Sequence, residues 1–165
     1  MGRPFKFSSE MEERVIFRVT EQQKRAIEEH ATASAKAAGS FERYRQEVLS
    51  GALDWATAGG RGDESFWREH AAQFEDNNYA LVRTLCGMLT SGRTPPKALA
   101  VACHDVGQIA AVVPRGRAVV TECGGKAALM TLMTHEDEDV RKQALLATQK
   151  LLVVGWQFLG GGAKE

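Results

Sequence analysis

The chain of 165 residues carries no net charge, because 21 Lys and Arg balance 21 Asp and Glu. Without an excess of either sign there is no global field to draw in nucleic acid or an anionic membrane surface. No apolar run reaches about 18 residues, so a membrane-spanning helix is not expected. The N-terminus, Met1-Gly-Arg-Pro-Phe-Lys-Phe7, lacks the apolar stretch of a secretory signal. It carries Lys6 where N-myristoylation requires Ser or Thr. Cysteine is scarce, and Cys86, Cys103 and Cys123 are odd in number and widely spaced. That pattern argues against a disulfide framework and for buried, reduced thiols in a cytoplasmic protein. No period-two alternation appears anywhere, so no sheet is expected. Apolar residues at 44% and charged residues at 25% are ordinary for a globular domain.

What is present is a repeat. Leu81, Leu85, Met88 and Leu89 form one apolar stripe, followed after a turn by Ala98, Ala102, Val106, Ile109 and Val113. The pattern returns as Ala128, Leu129, Leu132 and Met133, then Val140, Ala144, Ala147, Leu151 and Val154. Leu85 to Leu129 is an offset of 44, and Ala98 to Val140 is 42. A period of ~40–47 residues marks armadillo or HEAT units, whose helices bury their apolar faces only by stacking. The fold class is therefore all-α, armadillo/HEAT-like. Two helix triplets, 66–113 and 115–158, make about two repeats, fewer than the roughly three that stand alone, so the ends need covering. Phe41, Tyr44, Val48, Leu53 and Trp55 are the expected cover at one end, and Trp156, Phe158 and Leu159 at the other.

Residues 1–39 read as a divergent extension, 40–160 as the repeat domain and 161–165 as a flexible tail. Residues 1–8 are expected to be disordered. A capping box of Ser9 and Glu12 starts a polar helix that runs to about Ala38 and stops at Gly39. Its stripe (Met11, Val15, Val19, Ala26, Ile27) is thin, as in a surface helix or one awaiting a partner. Further helices are expected at Phe41–Leu49 and Phe66–Phe74, then at 78–90, 95–113, 115–123, 125–134 and 137–158. Asp63 or Ser65 can cap the second of these. Three glycines make Ala56–Asp63 the expected flexible linker. Thr94 reads as an N-cap before Pro95, and Thr134 with Asp137 as a capping box. Gly124-Gly125 ends one helix and turns into the next. The last helix, apolar on several sides at Leu145, Leu146, Leu152 and Val153, is expected to be the most buried.

Candidate chemistry is thin. Cys103-His104-Asp105 sets nucleophile, base and orienter side by side. Helix neighbours project about 100° apart, so a hydrogen-bonded catalytic chain among them is not expected. A structural hydrogen bond from His104 or Asp105 is. His135-Glu-Asp-Glu-Asp139 lacks the Gly and alternating ligands of a calcium loop and the His or Cys that zinc wants; helix capping by Asp137 explains it. Gly124-Gly125-Lys126 lacks the full phosphate-loop spacing. Arg61-Gly-Asp63 reads as a chance triplet in a loop. No metal, cofactor or catalytic residue is expected. Basic residues at the turns, Arg93, Lys97, Arg115, Arg117 and Lys126, are the candidates for protein contact, because loops on a rigid scaffold carry interaction.

Many short blocks also occur in a telling order. Upstream are Ser40-Phe-Glu42, Tyr44, Leu53-Asp-Trp55, Phe66-Trp-Arg-Glu69 and Asn78-Tyr79. Then come Leu99-Ala-Val-Ala-Cys-His-Asp-Val-Gly107, Pro114-Arg-Gly116, Gly124-Gly-Lys126, His135-Glu-Asp137 and Ala144-Leu-Leu-Ala-Thr-Gln-Lys-Leu-Leu152. Collinearly, over about 40–159, they resemble the C-terminal domain of the H subunit of the V-type proton ATPase. The resemblance implies a non-catalytic regulatory subunit of the vacuolar proton pump, on the cytosolic face of vacuolar and other endomembranes. It implies support of ATP-driven proton transport, and silencing of ATP hydrolysis when the soluble sector is detached. The implied partners are other components of the pump: the central rotor stalk, the catalytic head and the membrane sector's stator collar. Nucleic acid and direct membrane insertion are not implied. Family members carry a larger N-terminal repeat domain, to which nothing here corresponds, and residues 1–39 depart from the family pattern. A generic armadillo adaptor holding extended peptides is the alternative.

Overall fold

Short helical segments whose apolar faces need neighbours, separated by Gly, Pro and Asx turns, dictate a stack, and the computed structural model has one. It describes residues 9–56 and 61–153, with side chains at 21–32, 40–56 and 61–153. The helices are α1 (Ser9–Ser50), α2 (Glu64–Glu69), a 3-10 segment (Ala71–Glu75), α3 (Asp76–Thr90), α4 (Pro96–Val112), α5 (Gly116–Glu122), α6 (Gly125–Leu132) and α7 (Glu138–Leu152). No strand occurs among the described residues. The chain divides into two compact units, Met1–Gly39 and Ser40–Glu165. In the first, the side chains of 21–32 are all exposed, Ile27 among them.

In the second, α4 lies along α7, α3 along α6, and α5 bridges α3, α4 and α6. The sequence period is therefore a spatial one. Ala98 and Val140, Ala102 and Ala144, and Ile109 and Leu151 are each offset by 42 and all are buried. Leu85 and Leu129 are likewise fully enclosed. Phe41, Tyr44 and Val48, spaced to share one face of α1, close the first repeat together with Leu53, Phe66, Trp67 and Phe74.

Several boundaries differ from the sequence reading. Gly39 does not end a helix; α1 continues through it to Ser50, since an interior glycine costs only about 1 kcal/mol. The predicted Phe66–Phe74 helix splits at His70, where α2 gives way to the 3-10 segment. Asn77, Asn78 and Tyr79 all have positive φ (51°, 56° and 59°), so the regular part of α3 starts at Ala80. The left-handed turn is held by the Tyr79 hydroxyl donating to the Pro114 carbonyl (3.2 Å) and Arg83 Nε donating to Asn78 O (3.0 Å). Pro95, not Thr94, occupies the N-cap of α4; the Thr94 hydroxyl instead donates to Met88 O (2.8 Å). Asp137 caps α7 through Val140 N (3.0 Å), while Thr134 donates to Thr131 O and takes no part. Asp63, rather than Ser65, caps α2 by accepting from Ser65 N. Gly124, at φ 78°, makes the expected left-handed turn.

The most consequential difference is which helix is central. It is α4, buried from Ala98 to Ala110 except at His104 and Gln108. Leu145, Leu146, Leu152 and Val153 of the last helix are exposed (43–56%). The reason is position. Helix α4 has α3 on one side and α7 on the other, whereas among the described residues α7 packs chiefly on α4 and α6. Trp55 is also exposed (42%), so it does not join the cover. Trp156, Phe158 and Leu159, like residues 1–8, lie outside the described residues.

Close approach of α4 to α7 depends on Gly107, where an added Cβ would sit 2.9 Å from Ala147 Cα. Gly107→Ala should therefore cost about 1–3 kcal/mol by forcing the helices apart. Gly87→Ala, where nothing lies within 4 Å, should instead stabilise by about 0.5–1 kcal/mol through helix propensity. Urea unfolding of the two variants checks this pair of opposite signs.

Candidate functional site

The residues that invite a catalytic reading fold inward. Cys103 and Asp105 are fully buried on α4 and His104 is nearly so. Neighbouring His104 and Asp105 do hydrogen-bond, Nδ1 to Oδ1 at 3.0 Å, contrary to the expectation from helix geometry. A short carboxylate and a ring nitrogen can curl toward each other across the 100° step. His104 Nε2 meets Gln108 Nε2 at 3.1 Å, and its ring lies edge-on to Trp55. Cys103 takes no part in these bonds, and burial pushes its thiol up to about 12. Nucleophilic catalysis needs the thiolate within reach of its base. Neither condition is met.

Asp105 faces Arg61, which the sequence alone presents as an incidental loop residue. Arg61 is 1% exposed. Its Nη1 donates to Asp54 O (2.6 Å), its Nη2 to Glu47 Oε2 (3.1 Å), and its Nε lies 3.1 Å from Asp105 Oδ2 without hydrogen-bond alignment. The guanidinium stands over the Tyr44 ring, 5.3 Å from its centre. The Arg61 carbonyl accepts from Trp67 Nε1 (3.0 Å). One loop residue thus joins α1, the loop after it, α2 and α4. Residues 57–60 of the predicted flexible linker lie outside the described residues, but Arg61 itself is anchored. Burial raises the Asp105 carboxyl above its ordinary range, against the lowering pull of His104 and Arg61. Burial, and then the Asp105 charge, hold the Tyr44 phenol well above 10. This clasp is structural, because the Arg61 and Asp105 side chains are too enclosed to meet a substrate. Its only signal in the sequence is an arginine amid glycines, which charge patterning does not distinguish from a solvated one.

The basic contact candidates do not form one patch. Arg93 and Lys97 flank the start of α4, while Arg115 and Arg117 follow its end. The 17 residues of α4 put the two pairs about 25 Å apart. Lys97 pairs with Asp54 at 2.7 Å, which lowers the Asp54 carboxyl chiefly through that hydrogen bond. Arg117 Nε donates to Ala110 O (3.1 Å), and Lys126 is half-buried in the first turn of α6. Arg93 and Arg115 are exposed. Beside the first turns of α7 a shallow groove of about 420 Å³ runs between Met133, Glu138, Arg141, Lys142 and Leu145. Arg141 Nη1 locks its rim by donating to His135 O and Glu136 O (both 2.8 Å). Among the described residues no group of three metal-ligating side chains converges, and no helix is long and apolar enough to cross a membrane.

A family model described as the H subunit of V-ATPase matches residues 37–156. The chain is 42% identical over 134 residues to a protein of Caenorhabditis elegans named as a probable V-type proton ATPase H subunit, the second of two such proteins; the match covers 81% of this chain and 28% of that protein. It is 39% identical over 134 residues to the V-type proton ATPase H subunit of Drosophila melanogaster, with the same coverage. A probable H subunit from Oryza sativa subsp. japonica is 44% identical over 119 residues, 72% of this chain and 25% of its own length. The chain spans about a quarter of the curated relatives it matches. On the match over 37–156 and these identities, the chain belongs to the H-subunit family of the V-type proton ATPase.

Proposed function

We propose that this chain is a regulatory, non-catalytic module of a V-type proton ATPase, acting on the cytosolic face of vacuolar and other endomembranes. The observation that carries the reading is the match over residues 37–156 to proteins named as the H subunit of that pump. The buried state of Cys103 and Asp105 supports it, because it leaves binding rather than chemistry as the domain's work. Its partners are other components of the pump: the central rotor stalk and catalytic head when the soluble sector is detached, and the stator collar of the membrane sector when it is assembled. Docking at either of two surfaces is a population switch, in which differential affinity decides the outcome.

Adding the purified chain to detached ATPase sectors tests this. Hydrolysis is expected to fall with dose, and unchanged turnover at high micromolar concentration would overturn the reading. Charge reversal at Arg93 and Lys97, and separately at Arg115 and Arg117, asks which end of α4 makes contact. We expect one of the two pairs to weaken inhibition by about tenfold or more, roughly 1.4 kcal/mol. The fold should persist in the Arg93 and Lys97 variant, because the Lys97–Asp54 pair is exposed and contributes little; Arg117 holds Ala110 O, so the second variant is compared at matched unfolding midpoint.

A further inference from the structure

We propose that Cys86 and Cys123 form an oxidisable dithiol, a site at which a peroxide installs a disulfide between α3 and the α5–α6 turn. The inference is independent of the pump reading and rests on three features of the geometry. Arg83 and Cys86 stand one turn apart on the same face of α3. Arg83 Nη1 reaches across to Cys123 Sγ at 3.6 Å, so that face looks directly at the Cys123 sulfur. Next to it, the backbone at Gly125 presses so closely on Cys86 that a Cβ there would lie 2.8 Å from Sγ. Cys123 sits two residues upstream of that point, at the C-cap of α5. Burial, and then the neighbouring Cys123 thiol, push Cys86 up to about 12, in keeping with that placement.

Exposure divides the roles. Cys123 is half-buried and meets solvent, whereas Cys86 is 1% exposed. The Cys123 sulfur attacks one peroxide oxygen; an S–O bond forms, the O–O bond breaks, and the departing hydroxide takes up the thiol proton as water. The Cys86 sulfur then attacks the Cys123 sulfur of that sulfenic acid. An S–S bond forms, the S–O bond breaks, and hydroxide leaves with the Cys86 proton as a second water. Two thiols and one peroxide thus become a disulfide and two waters. Cys103, fully buried on α4, has no thiol beside it among the described residues and stays reduced. The cross-link would tie the first repeat to the second, since α3 and the α5–α6 turn belong to different units of the period.

The test is hydrogen peroxide on the full chain, followed by alkylation, non-reducing trypsin digestion and mass spectrometry. The intact mass should fall by about 2 Da, the two hydrogens removed. Peptide Thr84–Arg93 should appear linked to Ala118–Lys126, with the Cys103 peptide Ala98–Arg115 alkylated. The thermal midpoint should rise on oxidation and return with dithiothreitol. Cys123→Ser, at the more exposed position, should abolish the link and leave Cys86 a free thiol. Cys86→Ser should instead let Cys123 gain about 32 Da as sulfinic acid. Oxygen addition at Cys123 in the parent protein with Cys86 still alkylated, or a link involving Cys103, would overturn the proposal.

Discussion

Arg61→Met should destabilise the domain by about 3–5 kcal/mol, because it removes the cation from a buried cluster and strands the carboxylates. Asp105 is fully buried and Glu47 nearly so, at 12% side-chain exposure. Neither can recover its hydration. Chemical denaturation at neutral pH measures the loss. Lysine is no substitute, since one ammonium cannot reach Asp54 O, Glu47 and Asp105 in the fork geometry of a guanidinium. A double variant, Arg61→Met with Asp105→Asn, should recover part of the loss by removing the stranded charge while keeping an oxygen for His104. The deficit also has a pH signature. Without Arg61 the Asp105 carboxyl, already raised by burial, climbs further. Between its ordinary value and that raised one, the folded variant holds a proton that the unfolded chain has released. Stability of the variant therefore falls as pH rises through this window. Its deficit against the parent should shrink toward acid, and a pH-independent deficit would show that packing, not stranded charge, dominates.

Trp67→Ala should cost a similar amount, about 3–5 kcal/mol, through cavity formation. The indole is fully enclosed; it stacks on Phe74 (5.7 Å, 21°) and stands edge-on to Tyr44 and Phe66. It is also the second anchor of the Arg61 loop through Nε1. Trp67→Phe separates these contributions, since it keeps most of the ring and strands the Arg61 carbonyl, for a cost of about 1–3 kcal/mol. Trp55→Ala is the contrast. Side-chain size alone ranks Trp55 and Trp67 alike, as losses of a few kcal/mol, yet Trp55 is 42% exposed and covers mainly the edge of His104. Its removal should fall well below that of Trp67, and comparable unfolding midpoints for the two alanine variants would refute the burial argument.

How much is legible in the sequence can be followed residue by residue. Apolar periodicity reports which face of a helix is buried, so the stripes at Ala98–Ile109 and Val140–Leu151 and the offset of 42 translate directly into stacked helices. It does not report how many neighbours a helix has, which is why the pattern points to α7 as the centre when the centre is α4. Cap chemistry locates Asp137 and Gly124 but slides by one residue at Pro95-Pro96, where two prolines compete for the first turn. Side-chain type also cannot tell a solvated arginine from a buried one. Arg61 therefore looks incidental in the sequence, while Lys97 and Arg117 look like freely exposed Arg93 and Arg115. By itself the sequence determined the helical class, the repeat and the family, since these depend on local pattern and collinear blocks. Only the tertiary structure decided the central helix, the Arg61 clasp, the separation of the basic pairs and the approach of Cys86 to Cys123. Each of those depends on which residues distant in the chain come to share one dehydrated space, and spacing along a single helix carries no record of that.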